Sequence, residues 1–509
     1  MNIIIGNAWP YANGPLHLGR IAVLMPGDIL ARYHRLMGDD VVFVSGSDSH
    51  GNLVANKAKE EGKTPEETCE KYHKEFVNCF NKLGFSFDVF TRTHTEYHMK
   101  KVQGFFKELY KKGYIYEKEV EENYHDEDGS IEDNESNNKQ NNTKTKHLFF
   151  ALSKFEKDVR RVFIKQNGWR ENAQAITKRY LDEGLRDRAV TRDFYWGVDV
   201  PIDGYEDKKI YVWIEAVMGY LTASMKCLEE RNEDYMEYWN GEDSRIYFVH
   251  GKDNIPFHTV IFPGILAGLG IKNPPIREIS SEYLKLEGKQ FSTTKNWAIW
   301  VDHIIDNYSA DEVRYYLMLN GPESKDSDFL WRDFINTVNN DLVGLYGNLV
   351  NRTFMFIEKN FDGQIPNGTM SAKLKQQIFN LYFEVGDKIE EGRFKSALQD
   401  INKMIKKANK YFSDEKPWET INTNIDKCKE SLYIMIQLIA NISNLLEPFM
   451  PFSSEKIRKA LGIKNAMWSY IEKSEGKISN LDVLFNKIDK KNIEIEVERI
   501  KNKGNLEKK

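Results

Sequence analysis

A histidine, a glycine and an arginine stand together at His17-Leu18-Gly19-Arg20, where a polar loop gives way to a helical pattern. Ahead of them Ile3 to Ile5 reads as a short buried strand, and Gly6, Asn7, Pro10, Asn13, Gly14 and Pro15 interrupt regular structure. Strand, tight loop and helix start together make an anion site. The first helical N–H groups have no intrahelical partner, and the positive end of the helix dipole faces the same way. Gly19 lets the backbone approach closely because it has no Cβ, and His17 can donate to a phosphate oxygen. An ordinary strand-to-helix turn with a packing histidine fits these residues equally well.

Two further stretches carry chemistry. Asp48 lies in GSDSHG (46–51), behind the apolar run from Asp40 to Ser45. A carboxylate at the carboxyl end of a strand is where open parallel sheets place ligand contacts. It can pair with an ammonium group, or simply stabilise a turn. The loop from Leu286 to Lys295 is polar, bears a glycine, and has Lys289 and Lys295 as flanking cations. It can cap a polyphosphate, and it can equally be a plain surface loop.

The elements that must position these residues are α/β in character. A helix is expected from about Arg20 to Leu36 and a strand from Asp40 to Ser45. Thr64-Pro65-Glu66-Glu67 starts a helix that continues to about Leu83, because it combines a capping threonine, a first-turn proline and an acidic first turn. Another helix is expected from Glu96 to Lys112. Residues 117–146 are rich in Asn, Glu and Lys and nearly free of apolar side chains, so most of the segment is expected to be a disordered loop or a frayed hairpin. Strands are expected again at His147–Phe150, Lys209–Ile214 and Ile246–His250. The last of these runs into GKDNIPFH (251–258). Two α/β halves around an insertion suggest one sheet, split in sequence. From about Asp328 to Leu461 the pattern is long amphipathic helices with short connections, hence a bundle. The charged tail from Asp489 is expected to be mobile.

Composition excludes several classes. The chain has 509 residues, enough for several domains, with 41% hydrophobic and 13% aromatic residues to build cores. A net charge of −5 gives no global basic field, so any nucleic acid must be held by local patches. Cys69, Cys79, Cys227 and Cys428 are scattered and suggest neither a disulfide framework nor a cysteine zinc site. No apolar run is long enough to span a membrane, and no leader pattern precedes the first strand. A cytoplasmic location is expected.

WPYANGPLHLGR, GSDSHG, YVWIEAVMGY, GKDNIPFH and LEGKQFSTTKNWAIW occur in this order. NNDLVGLYGNLVNR and ANKYFSDEKPW follow in the bundle. Together they resemble the methionyl-tRNA synthetase family of class I, and the FSTT and NWAIW details resemble its archaeal and eukaryotic branch. The likeness runs to about Asp489. It implies a split Rossmann-type parallel sheet with a connective insertion, followed by an α-helical anticodon-binding bundle. The implied boundaries are 1–115 and 186–275 for the two catalytic halves and 116–185 for the insertion. A stem-contact region with a KMSKS-like loop follows at 276–326, the bundle at 327–465 and an extension at 466–509.

The resemblance also implies roles. Asp48 would hold the amino group of an amino acid, with Ala8, Trp9, Tyr11, Trp213, Ala216, Tyr220, Phe257 and His258 around its side chain. His17 and Gly19 would meet the ATP phosphates, Gly251 and Asp253 the ribose, and Phe291 and Thr293 the rest of the nucleotide. Arg20, Lys289, Ser292 and Lys295 would join His17 in catalysis, and Arg192 lies where the family has an arginine near the site. Asn348, Arg352 and Trp418 match the residues that read a CAU anticodon, by base-edge hydrogen bonds and stacking. The implied partners are tRNA(Met), methionine and ATP with Mg2+, on a monomer.

Four departures from the family pattern bear on activity. Arg20 replaces the second histidine of HIGH. Gln290 replaces the first lysine of the KMSKS-type loop, and losing such a charged contact costs ~10²–10³ in rate. Trp9 stands where the family has leucine. Residues 117–146 contain no cysteine, and His125 with His147 cannot make a structural zinc site, so no zinc is expected. The expected function is methionine–tRNA ligation. The alternatives are a paralogue activating another, smaller amino acid for a non-tRNA acceptor, or a catalytically impaired tRNA-binding protein.

Overall fold

A computed structural model describes residues 1–121, 144–166, 168–272, 275–479 and 481–505. The chain forms two compact units. One comprises Met1–Leu16, Asp40–Asn78 and Phe87–Ser281; the other comprises His17–Asp39, Cys79–Ser86 and Glu282–Lys509.

The first unit is built on a parallel sheet. Its strands are β1 (Asn2–Asn7), β2 (Asp40–Ser47), β3 (Val89–Arg92), β9 (Ser244–Gly251) and β10 (Ile276–Ser281), in the order β10-β9-β1-β2-β3. Ile3, Ile4 and Ile5 are fully buried, as a strand covered on both faces requires. In register, Ile5 lies beside Phe43 on one side and Tyr247 on the other. Strand order reverses at β1, with β2 and β9 as its neighbours. Ligands bind in the crevice outside the carboxyl ends at such a point. The sheet joins the two halves of the sequence as expected, and β10 extends the second half past the boundary placed at 275.

In the insertion, the hairpin alternative and the strand expected at His147–Phe150 agree with the structure. β4 (Ile115–Glu121) and β5 (Lys144–Phe150) pair antiparallel, with Ile115 opposite Phe150 and Val120 opposite Thr145. Residues 117–121 and 144–146 are therefore strand, anchored by the buried Val120, Leu148, Phe149 and Phe150. The rest of the segment expected to be disordered, 122–143, lies outside the described residues. β6 (Arg188–Ala189) adds to this hairpin, and β7 (Thr191–Arg192) pairs with β8 (Lys209–Ile210). The strand expected at Lys209–Ile214 ends at Ile210, and a helix runs from Val212 to Arg231. Aromatic and β-branched residues at 210–214 read as strand by propensity, but a helix buried on nearly every side shows the same apolar run.

The second unit holds the helix Leu18–Met37 and the bundle. Asp28, on that helix, is buried and pairs with Arg314 at 2.6 Å and with Arg32 at 2.8 Å. Burial alone would raise the Asp28 carboxyl, but the two guanidinium groups outweigh it and bring it down to about 2. Arg314 also donates to the carbonyls of Leu83, Pro448 and Phe449. A fully satisfied buried pair of this kind fixes one arrangement of the helices that share it. This is why the helix after β1 belongs with the bundle, although sequence order places it in the first catalytic half.

β11 (Leu284–Leu286), β12 (Lys289–Gln290) and β13 (Ser327–Phe329) form a small sheet in this unit. The bundle's long helices span Asn348–Phe361, Ala372–Glu390, Phe394–Glu415 and Ile425–Leu446. The tail expected to be mobile instead forms a helix, Lys491–Asn505. Glu496 on it accepts from His303 at 2.9 Å, which ties the helix down, and from Arg499 on the same helix at 2.9 Å.

Candidate active site and anticodon face

In the first unit, the chain leaves β1 through Ala8, whose N–H donates to the Val249 carbonyl at 2.9 Å. Tyr11 then forms a bridge with Asp48, held by N–H donation from Asp48 to the Pro10 carbonyl at 2.9 Å and from Ala12 to the Asp48 carbonyl at 2.8 Å. The Asp48 side chain is buried at 4% exposure. Its Oδ1 faces the His50 N–H at 3.5 Å, and an ammonium group beside a buried carboxylate would offset part of the cost of burying its charge.

A ring of aromatic side chains lies on the neighbouring elements. Trp213, Ala216 and Tyr220 recur at helical spacing along Val212–Arg231, so they share a face. Trp213 packs on Phe257 with ring centroids 4.4 Å apart and on Tyr11 at 6.4 Å. After β9 the chain passes Gly251 and Asp253 and widens into a π-helical turn, Phe257–Ile261. Such turns recur at functional sites because the extra residue re-aims side chains. Here His258 Nε2 meets the Tyr220 hydroxyl at 2.9 Å, and His258 Nδ1 faces the Asn254 carbonyl at 2.8 Å. Both side chains are almost fully buried. Burial holds His258 down to about 3, so the ring is neutral. With Nδ1 donating to a carbonyl, Nε2 accepts from Tyr220.

Trp9 takes a slot of its own. The indole packs edge-on to Tyr220, 6.3 Å between centroids, and beside His98 at 6.4 Å. It lies against Gly46 of β2 and Gly219 of the helix Val212–Arg231, where a Cβ would collide with it. Arg192 is tied to its own strand, donating to the Ala189 and Thr191 carbonyls, with its guanidinium 4.1 Å over the Tyr211 ring.

Two buried networks behind these residues were not foreseen. Glu215 joins His50 at 2.7 Å and His98 at 2.6 Å. Glu278 joins His250 at 2.8 Å, and the His250 ring stacks on His258 with centroids 4.1 Å apart. Glu215 and His50 fall inside YVWIEAVMGY and GSDSHG, so their motifs were visible; Glu278 carried no sequence signal beyond a charged residue in an apolar strand.

The second unit carries the phosphate-type residues. His17 precedes the helix Leu18–Met37, and its ring stacks on Phe291 with centroids 5.0 Å apart. Backbone pairing of His17 with Trp300 and a 2.8 Å bond from the Leu18 N–H to the Ile299 carbonyl bring HLGR and the FSTTKNWAIW stretch together. A Cβ on Gly19 would lie 3.0 Å from His17 Nδ1 and 3.2 Å from the Phe291 ring, so glycine keeps this stack open. His17 Nδ1 is buried without a hydrogen-bond partner. Burial, then the charge of Arg20, hold the imidazole down to about 3. A neutral ring can donate to a phosphate oxygen while Arg20 supplies the charge.

In the loop, Ser292 pairs with Trp297 through both backbone groups, and the Lys295 N–H donates to the Ser292 hydroxyl at 3.2 Å. Lys289 holds its ammonium 4.5 Å over the Trp297 ring. Thr293 and Lys295 are exposed.

The bundle brings the three anticodon candidates onto one surface. Asn348 and Arg352 lie one turn apart on the helix Asn348–Phe361. Arg352 donates to Asn409 at 3.1 Å and lies 4.1 Å over the Phe412 ring. Trp418 packs on the same Phe412 at 6.0 Å and leaves 47% of its surface exposed. Phe412 and Asn409 thus support the face. Both lie within ANKYFSDEKPW, but the sequence did not single them out.

The family described as tRNA synthetases class I (M) matches residues 3–136 and 131–354, and the anticodon binding domain of methionyl tRNA ligase matches residues 364–503. The chain is 46% identical to methionine–tRNA ligase 1 of Alkaliphilus oremlandii over 543 residues, covering 98% of this chain and 100% of that protein. It is also 46% identical to methionine–tRNA ligase of Bacillus cereus strain G9842 over 540 residues, 98% and 99% of the two chains. A crystal structure of methionyl-tRNA synthetase from Mycobacterium tuberculosis bound by methionyl-adenylate shares the fold. Its TM-score is 0.83 at 24% identity, over 96% of this chain and 100% of that one. These relatives are bacterial, so the expected likeness to the archaeal and eukaryotic branch draws no support from them. By two matching domains and close relatives along its whole length, the chain belongs to the class I methionyl-tRNA synthetase family.

Proposed function

We infer that the chain activates methionine with ATP, giving methionyl-adenylate and pyrophosphate, and passes the methionyl group to the terminal ribose of tRNA(Met). The observation that carries this reading is the buried Asp48 carboxylate in the same unit as an aromatic cluster of Tyr11, Trp213, Tyr220, Phe257 and His258. That combination suits a substrate with an ammonium group and an uncharged, polarisable side chain. Ala8, Trp9 and Ala216 complete the amino-acid set.

Gly251 and Asp253, past the end of β9, would take the ribose, since a carboxylate can accept from both hydroxyls of a cis-diol. His17, Gly19 and Arg20 would meet the phosphates, with Phe291 and Thr293 as further nucleotide contacts and Lys289, Ser292 and Lys295 as the contribution of the 286–295 stretch. No covalent enzyme intermediate is needed; the work is positioning and charge stabilisation. Among the described residues no group of three or more His, Cys, Asp or Glu side chains could hold a metal ion. Mg2+ would arrive with the nucleotide, held chiefly by its phosphates. The proposal of no structural zinc rests on the cysteine-free insertion. Asn348, Arg352 and Trp418 would read the anticodon. A cytoplasmic monomer is part of the same reading, and no helix among the described residues is long and apolar enough to cross a membrane.

Trp9, Arg20 and Gln290 favour the paralogue reading, Trp9 by reshaping the amino-acid pocket. The slot formed by Gly46 and Gly219 accounts for the indole, and the relatives that match along the whole chain bear the methionine name. Amino-acid-dependent pyrophosphate exchange, run over all twenty amino acids, tests the inference. Methionine should give the dominant signal. Preference for a smaller amino acid would overturn it.

A further inference from the structure

Glu278 points into the protein from β10 and is completely buried. One carboxyl oxygen meets His250 Nε2 at 2.8 Å, while the other, Oε1, has no hydrogen-bond partner. His250 Nδ1 already faces the Gly251 carbonyl at 2.9 Å, which only an N–H can satisfy. In a neutral imidazole that leaves Nε2 as an acceptor. The carboxyl must then be the donor, which means it carries its proton. The His250 ring lies flat on His258, 14° between planes, and His258 in turn accepts from Tyr220.

We propose that Glu278 and His250 are positioning residues for the methionine side-chain pocket: a neutral carboxylic acid–imidazole pair that keeps the stacked His258 ring uncharged and its Nε2 facing Tyr220. This rests on the reading that His258 and Tyr220 contact the methionine side chain.

Three observations support the neutral form. A carboxylate with an orphaned oxygen and complete burial would be left largely uncompensated, whereas a protonated carboxyl leaves only a carbonyl lone pair unpaired. A cation on either stacked ring would face the other ring at contact distance. Burial also pushes Glu278 up to about 8 and His250 down to about 4. The surrounding titratable and charged groups are few. His258 comes from the π-helical turn, Tyr220 from the helix Val212–Arg231, and Asp48 acts on Tyr220 from the end of β2. Arg170 reaches β10 by donating to the Ser280 carbonyl and the Ser281 hydroxyl, and its charge further disfavours a proton on His250. The design is a pocket floor with no net charge. It accepts a thioether and resists charged side chains, because ionising the floor or filling it with an ion would strand a charge out of water.

The proposal is tested by methionine-dependent pyrophosphate exchange with the full chain, from about pH 6 to about pH 9.5, a range that spans the Glu278 transition. The parent's KM for methionine should be flat at neutral pH and rise once Glu278 loses its proton. Glu278→Gln keeps a donor to His250 Nε2 and cannot ionise. It should hold KM within about twofold of the parent at neutral pH, and the part of the alkaline rise due to Glu278 should vanish. The methionine amino group titrates identically in both proteins and cancels. Glu278→Leu removes the donor and should raise KM about tenfold at every pH, with kcat within about threefold. An identical alkaline rise in Glu278→Gln, or an unchanged KM in Glu278→Leu, overturns the proposal. If Glu278→Leu does not fold, the parent and Glu278→Gln profiles decide alone. If the parent never activates methionine, the function above fails. The pair is then judged by infrared spectroscopy: a protonated-carboxyl C=O band that titrates near neutral-to-alkaline pH and is missing in Glu278→Gln supports it, and absence of that band from the parent refutes it.

Discussion

A Cβ added to Gly219 would lie 2.7 Å from Cζ2 of Trp9, closer than any real side chain tolerates, and one added to Gly46 would overlap the same indole from the other side. The tryptophan and the two glycines form one packing unit. Gly219→Ala should push the indole out of its slot and raise the methionine KM about tenfold, the equivalent of one lost hydrogen bond or tight contact. Trp9→Leu should empty part of the slot and destabilise the chain by about 2–4 kcal/mol. Combining the two should restore KM, because the smaller side chain no longer meets the new methyl group. A double-mutant cycle in KM and in thermal unfolding measures the coupling. Simple additivity would show that Trp9 and Gly219 act independently.

Asp48→Asn tests the ammonium contact. The amide keeps the shape of the buried side chain and loses its charge. Methionine activation should fall by about 10²–10³-fold, as expected when one partner of a buried charge pair is neutralised. ATP binding, followed by fluorescence or calorimetry without methionine, should hardly change. A mutant with ordinary exchange activity would remove Asp48 from the site.

The anticodon face gives a test with two readouts. Trp418→Ala removes an exposed stacking surface worth about 1–3 kcal/mol per base. Charging of tRNA(Met) at limiting tRNA should drop by about five- to a hundredfold, while pyrophosphate exchange stays at the parent level. Phe412→Leu should show the same split more weakly, because Phe412 supports both Arg352 and Trp418. Loss of exchange activity in either mutant would point to a folding defect instead.

His17 gives a pH prediction. Burial, and then Arg20, bring its imidazole from an ordinary 6.5 to about 3. The folded state therefore favours the neutral ring. The associated stability is complete above the unfolded value and is lost as pH falls toward the folded one. Removing Arg20 takes away the second cause, so in Arg20→Ala the His17 NMR titration midpoint should move upward. An unmoved midpoint would mean that the two side chains do not sense each other.

Much of this protein is legible along the chain because several of its determinants are local. The apolar run at Ile3–Ile5, the capping threonine ahead of Pro65, the acidic GSDSHG turn and the helical spacing of Trp213, Ala216 and Tyr220 each sit within a few residues. Their order along the chain also suffices for the family, since motif spacing survives without coordinates. The hairpin was legible only in part: the strand at His147–Phe150 and a hairpin across 117–146 could be read, but not how far the arms extend, because pairing across a polar segment depends on apolar residues at the far ends. The helix Lys491–Asn505 was not legible, since its charged composition reads as tail until Glu496 finds His303 far away in sequence.

By itself, the sequence determined which residues are available as candidates to hold an ammonium group, a phosphate and an anticodon base. The tertiary structure decided where Trp9 goes, since only the approach of β2 to the helix Val212–Arg231 places Gly46 and Gly219 on either side of it. It also decided the charge state behind the pocket. Glu278 and His250 are ordinary ionisable residues in a chain met one letter at a time. Burial on adjacent strands, a carbonyl already claiming His250 Nδ1 and an orphaned carboxyl oxygen make them a neutral pair. Protonation in a protein interior is set by the solvent and partners a group has lost or gained, and those are known only once distant segments have met.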